Sequence, residues 1–296
     1  KEIVHYILYG CVFKLEISIL IAITLPEERK MEGHKHSNID QQETELFNQY
    51  AAEYTEKYDY PHCYEIMAYD FKKGTQFLKN ALGSVLDMGC GNGNLYPLIY
   101  PMSTSYFGID FSKSLVEMAR NQSIRSGDCF EVANIKNTGL KSNSFDTIIS
   151  YGVLHHTIEH VTILKEMYRL LKPGGHIILY EPNRDAVFIE MLRYFRKCLD
   201  KKFSSNQKSF SKKEIESLFA RSGFEPVHCV YSLYALGFFA DIKYKFLPKS
   251  ITNFLYQIAR QVEKAIEQIP GNFIKKQAFA INFIGKKTMA EGDGLI

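Results

Sequence analysis

The stretch Val85-Leu86-Asp87-Met88-Gly89-Cys90-Gly91-Asn92-Gly93-Asn94 decides the fold. Two apolar residues read as the end of a strand. An acid follows, then glycine at every second position. A strand end with an acid, a turn of bare backbone and then a helix is the layout of a nucleotide-class site in an α/β fold. Glycine turns sharply, and it lets a ligand approach the main chain where a Cβ would collide. The helix expected next offers unpaired N–H groups to a carboxylate or phosphate. Spacing selects among ligands. A dinucleotide site wants G-x-G-x-x-G, and counted from Gly89 the last position falls on Asn94. What stands instead is D-x-G-x-G-x-G, from Asp87 to Gly93.

Outward from this motif the chain alternates. Residues 105–110 form a short apolar strand ending in Asp110, and Ser112 is placed to cap a helix carrying Leu115, Met118 and Ala119. Residues 129–135 and 144–150 read as the third and fourth strands. An amphipathic helix is expected over 157–171, stopped by Lys172-Pro173-Gly174-Gly175. A fifth strand follows at 176–180, then a helix at 186–199. Ser211 with Glu214 makes a capping box for a helix that ends at Gly223. Residues 224–232 and 278–285 complete the strands. Strand and helix in alternation give a parallel sheet covered on both faces. On the amino side, a helix is expected over 64–80 with Gly83 as its cap. Before it, Phe47, Tyr50, Tyr54 and Tyr58 share one helical face, either as a packing stripe or as a lid over the site.

Asp110 ends the second strand 17 residues beyond Gly93. Ligands in open α/β sheets sit at the carboxyl ends of the strands. A carboxylate there accepts strong hydrogen bonds from both hydroxyls of a ribose. The motif at Asp87–Gly93, the acid Asp110, the pair His155-His156 after the fourth strand and the later L-K-P-G-G run occur in one order over about 44–232. Together they resemble the class I S-adenosylmethionine-dependent methyltransferases, the small-molecule, ubiquinone-methylating type (methyltransferase type 11). The resemblance implies a Rossmann-like, doubly wound, seven-stranded and mostly parallel α/β sheet with a helical cap. It implies S-adenosylmethionine as cofactor, held by Asp87, Gly89, Gly91, Gly93 and Asp110. Phe111 is placed to stack on the adenine. Where the family carries an acid for the adenine amino group, this chain has Asn134, whose carbonyl oxygen can still accept; Ile135 flanks the ring. Tyr151 faces the methionine end.

For the chemistry, a neutral His is a base with its pKa near 7. His156 is the first choice and His155 the second. The alternative for either is a His that caps the next helix or bonds within the core. Glu181 either touches substrate or caps a helix. No acid cluster points to a metal.

The domain expectation is an extension over 1–43, a methyltransferase domain over 44–286 and a tail over 287–296. The domain includes cap helices at 44–80 and an insertion at 233–277. Residues 1–30 are set aside from the fold, either as a segment ahead of a start at Met31 or as a membrane-anchoring helix. Their uncharged run, 17–25, is nine residues, against the ~20 a bilayer needs. The chain has 296 residues, 46% hydrophobic and 23% charged, with a net charge of +3. Residues 184–276 hold 17 Lys/Arg and 9 Asp/Glu, a surplus of eight, so the remainder is acidic. A basic carboxyl-terminal part favours an anionic substrate or membrane surface, or is an ordinary solvated face. Six scattered cysteines show no C-x-x-C pair, which fits a reducing cytoplasm. The expected reaction is methyl transfer to oxygen or carbon of an apolar, quinone- or lipid-like small molecule. Tyr231, Leu233, Tyr234, Leu236, Phe238 and Phe239 either line an apolar pocket or touch a membrane, or are ordinary core. No nucleic-acid partner is expected, for want of a basic-aromatic platform. Oligomeric state is unknown. The competing classes are an NAD(P)-dependent oxidoreductase and a non-catalytic S-adenosylmethionine-binding protein.

Overall fold

The computed structural model describes residues 44–49, 51–52, 55–56, 61–78, 81–199, 208–237 and 249–288. Tyr50, Tyr54, Tyr58, Phe238, Phe239 and the segment 1–43 lie outside the described residues.

Seven strands form one sheet. They are β1 (Gly83–Met88), β2 (Ser103–Asp110), β3 (Cys129–Val132), β4 (Phe145–Tyr151), β5 (Leu171–Pro182), β6 (Phe224–Ser232) and β7 (Ala280–Lys287). Their order is β3-β2-β1-β4-β5-β7-β6. β1 to β5 pair in parallel, and β7 runs antiparallel between β5 and β6. The mostly parallel α/β class is as the strand alternation requires. Eight helices are labelled: α1 (Pro61–Thr75), α2 (Tyr96–Ile99), α3 (Lys113–Arg120), α4 (His160–Leu170), α5 (Val187–Leu199), α6 (Lys212–Ser222), α7 (Lys249–Gln268) and α8 (Asn272–Lys275).

Both sheet faces are packed. Leu86, Met88, Ile148 and Leu179 join α4 and α6 residues on one side. Val85, Ile149, Ile178 and Tyr180 join Met67 and Phe71 of α1 on the other. Strand residues alternate between these two clusters, as a period of two demands. α1 approaches closely at Gly74, where a Cβ would stand 2.4 Å from the Tyr180 hydroxyl. That hydroxyl donates to the Phe71 carbonyl at 2.8 Å.

Four local expectations need correction. The helix after the glycine turn is only Tyr96–Ile99, passing into a 3-10 turn, Tyr100–Met102. Pro101 lacks the N–H that a longer helix needs and its ring crowds the preceding turn. Gly83 does not cap a helix; it opens β1 with φ +65°. β3 stops at Val132, because Asn134 folds into a turn in which its side-chain Oδ1 accepts from the Lys136 N–H. The helix ends at Leu170 as expected, but residues 172–175 then lie inside β5, which starts at Leu171 rather than 176, with a register shift by which Phe145 pairs with Leu171 and Thr147 with His176.

Among the described residues of the insertion, Leu233, Tyr234 and Leu236 are buried, and Leu233 and Leu236 cluster with Ile66 and Tyr256. Glu263 of α7 accepts the N–H groups of Tyr234, Ala235 and Leu236, so this acid fixes the cap to the end of β6. No helix among the described residues is long and apolar enough to cross a membrane.

Candidate functional site

β1 delivers Asp87 to the carboxyl edge of the sheet, but turned inward. The side chain is fully buried and its Oδ2 accepts the Tyr106 hydroxyl at 2.8 Å, while Oδ1 has no hydrogen-bond partner among the described residues. Burial pushes its carboxyl up to about 7. The N–H groups of Gly89 and Cys90 both donate to the Ile109 carbonyl, that of Gly93 to Cys90, and that of Tyr96 to Gly93. The amides expected to meet an anion are therefore spent on the turn itself. Gly89 has φ +87°, and a Cβ on it would lie 2.3 Å from Val153 Cγ2. Gly93 serves packing: at φ +81° its Cβ would press on Ala119 and Phe130.

Beside this turn lies a cleft of about 350 Å³, within the range of small-molecule sites. Gly89, Gly91, Asp110, Phe111, Asn134 and Ile135 line one part of it, and Tyr151, Gly152, Val153, His156 and Thr157 another. Asp87, Gly93 and His155 do not reach its lining. Asp110 is held by main chain: Gly91 N–H donates to Oδ2 and Ser112 N–H to Oδ1, each at 2.9 Å. The Phe111 N–H also bonds to this carboxylate, which keeps acceptor capacity that suits a ribose hydroxyl. Burial raises the Asp110 carboxyl above its usual value; the N–H bonds from Ser112 and Gly91 and the nearby His156 pull the other way.

The His pair sits on a 3-10 turn, Leu154–His156. Glu181, at the end of β5, is buried and holds that turn. Its carboxylate accepts N–H bonds from Val153, Leu154 and His155, and its Oε2 lies 2.8 Å from His155 Nδ1. Desolvation lifts Glu181 to about 7 against those bonds. Glu181 thus caps, and His155 is tied to it, while His156 faces the cleft. Its ring lies 4.1 Å from that of His155 and 5.1 Å, edge-on, from Phe47.

Thr44 and Phe47 form one wall of the cleft. The Phe47 ring also meets Phe111 at 5.7 Å. Next to it, Asn48 Oδ1 accepts from the Ser112 hydroxyl at 2.8 Å. Phe47, the described member of the stripe, therefore both walls the cleft and packs on Phe111 and His156.

One functional neighbour was missed in the sequence. Asp70 of α1 is buried and accepts from the Tyr151 hydroxyl at 3.0 Å, from Asn282 Nδ2 at 2.8 Å and from the Ser232 hydroxyl. Burial raises its carboxyl. An acid on the apolar face of a helix, beside Ile66, Met67 and Phe71, was the available signal. Among the described residues no cluster of His, Cys, Asp and Glu could hold a metal.

Comparison with known proteins now bears on this geometry. The methyltransferase-domain family matches residues 86–179, the span from β1 through β5 that builds the cleft. A demethylmenaquinone methyltransferase of Lactococcus lactis is 30% identical over 169 residues, covering 49% of this chain and 66% of that protein. The chain belongs to the class I S-adenosylmethionine-dependent methyltransferases. Within this family, a probable tRNA methyltransferase 9B of Mus musculus is 34% identical over 125 residues, 40% of this chain and 27% of that one. The matched part of the chain spans 66% of the length of the first of these relatives and 27% of the second. A crystal structure from Thermotoga maritima, described as a possible histamine N-methyltransferase, shares the fold with a TM-score of 0.58 at 20% identity. It covers 83% of this chain and 99% of its own.

Proposed function

We propose that this methyltransferase binds S-adenosylmethionine in the cleft between Gly89, Asp110 and His156 and methylates a small molecule there. The observation that supports this is Asp110, a buried carboxylate in the cleft wall, fixed by main-chain N–H groups of Gly91, Ser112 and Phe111 and with acceptor capacity left for a ribose hydroxyl. Asp110 takes the ribose hydroxyls. Phe111 and Ile135 enclose the adenine, and Asn134 accepts from its amino group. The main chain at Gly89 and Gly91 lies against the ligand, with Asp87 and Gly93 supporting that turn from behind. Tyr151 stands toward the methionine end. S-adenosylmethionine, when bound, supplies a methyl group already activated by its sulfonium. The protein then has to orient the acceptor, exclude water and take up a proton. Phe47 and Thr44 exclude water, and His156 is the base, with His155 and Glu181 holding its turn.

The acceptor we favour is an apolar, quinone- or lipid-like molecule methylated at oxygen or carbon, in a reducing cytoplasm. The family match and the similarity to the Lactococcus lactis protein support this. On this reading the catalytic unit is 44–286, with 233–277 as its cap. A tRNA acceptor is the second reading, favoured by the similarity to the Mus musculus protein.

The test uses methyl-labelled S-adenosylmethionine with a lipid extract and, separately, with total tRNA. Label in the lipid fraction, lost in His156→Gln while calorimetry shows cofactor binding retained, supports the reading. Label in tRNA alone replaces it with the second. Binding of NADH with none of S-adenosylmethionine or its demethylated product would return the oxidoreductase.

A further inference from the structure

α7 has two apolar faces. Tyr256 and Ala259 are buried with Ile66, Leu233 and Leu236. A second row, Ile251, Phe254, Ile258 and Val262, follows the three- and four-residue steps of one helix face and stands in solvent. Phe254 is 65% exposed. Ile269 carries the spacing past the helix end, and Phe273 on α8 is 78% exposed. Isolated exposed hydrophobics are ordinary; six in 23 residues, four of them on one helix face, are a surface feature.

The charges of this region are sorted. Glu263 is buried on the three N–H groups of 234–236, and Glu267 takes the Tyr69 hydroxyl and Lys73 Nζ. What remains exposed on α7 and α8 is basic: Lys275 and Lys276 follow Phe273, and Arg260 and Lys264 lie on α7 roughly opposite the apolar row, where the exposed Glu65 of α1 reaches Tyr256. The face also has a fixed place. β6 runs parallel to β5, so the 233–236 turn leaves β6 at the carboxyl edge of the sheet. That is the edge on which Asp110, Tyr151 and His156 gather.

We propose that α7 and α8 seat the protein on an anionic membrane surface. The apolar row enters the boundary between headgroups and acyl chains, and Lys275 and Lys276 next to Phe273 meet lipid phosphates. Charge selects this occupant over a second copy of the chain, whose α7 and α8 carry the same cations and no exposed acid to meet them. The inference rests on the exposed face alone and stands apart from the cofactor reading.

The experiment sediments the full chain with vesicles of phosphatidylcholine, with and without phosphatidylglycerol, in the absence of S-adenosylmethionine. Partition into anionic vesicles should exceed that into neutral ones by at least about tenfold and fall in 1 M salt. The triple variant Phe254→Ser, Ile258→Ser, Val262→Ser should lose about tenfold in partition, an estimate from the apolar surface it removes. Lys275→Glu with Lys276→Glu should abolish the preference for anionic lipid. Far-UV circular dichroism checks that each variant is folded; these side chains are exposed, so it should be unchanged. Because residues 17–25 are a second apolar run, the variants decide. Partition equal to wild type in the serine variant overturns the proposal. So does the absence of wild-type partition, and so does a dimer by light scattering that Phe254→Ser dissolves.

Discussion

At Asp110 one carboxylate performs two tasks, and they can be separated. It ties β2 to the glycine turn through the Gly91 N–H, and it offers its remaining lone pairs to the cleft. Hydrogen bonds to a charged group contribute about 1.5–3 kcal/mol each. Asp110→Ala should weaken S-adenosylmethionine binding by roughly 100-fold in calorimetry, and Asp110→Asn by less, because its carbonyl still accepts. Glu181 differs in kind, since it acts through the main chain. Glu181→Ala strands three N–H groups of the 153–155 turn in a buried site. It should cost at least about 2 kcal/mol in urea unfolding and lower turnover by releasing the His turn. Asp110 was legible because an acid that ends an apolar strand lies at the ligand edge by topology. The inward turn of Asp87 was not, because it depends on Tyr106 from the neighbouring strand. Likewise His155 and His156 look equivalent as a dipeptide, and only Glu181, 26 residues on, tells them apart.

Among the elements, legibility followed how local the cause is. The α6 capping box was plain in Ser211 and Glu214, and both reciprocal bonds are present, with Gly223 closing the helix at φ +89°. Ser211→Ala should reduce stability by about 1 kcal/mol and leave cofactor affinity unchanged, since no residue of α6 lines the cleft. Urea unfolding beside a calorimetric titration reads both. β7 was also found as an apolar run, but its place between β5 and β6 is a property of the whole sheet. The glycine turn misled about α2, where Pro101 outweighs the helical spacing. The insertion left two readings open, and its parts divide between them: Leu233, Tyr234 and Leu236 are core, while among the described residues its exposed apolar side chains lie from α7 to α8. Hydrophobicity alone does not say which side of a helix meets the protein.

For the molecule as a whole, the buried carboxyls set how stability changes with pH. Burial raises Asp87 and Glu181 to about 7 each, and the Tyr106 hydroxyl only partly offsets this for Asp87. An unfolded carboxyl titrates near 4. Between roughly pH 4 and 7 the folded chain therefore keeps protons that the unfolded chain has released, and stability falls as pH rises through that window. His62, His160 and His176 are pushed below their ordinary value by burial. The unfolded chain takes up their protons first as pH falls, so they add stability as pH rises toward about 6.5. Glu166, held at about 2 chiefly by its hydrogen bond from Arg169, contributes a constant amount across this range. The two opposing groups offset each other below about pH 6.5, and above it the carboxyls act alone. The thermal midpoint should accordingly decline between pH 6.5 and 8. Asp87→Asn removes one of the raised carboxyls, which also include Asp70, Asp110, Glu181 and Glu263, while keeping an acceptor for Tyr106. Its midpoint relative to wild type should rise steadily from pH 5 to pH 8, by about 5 °C in total. A difference that stays flat over that range would show Asp87 to be ionised throughout, stabilised by something other than the Tyr106 hydroxyl.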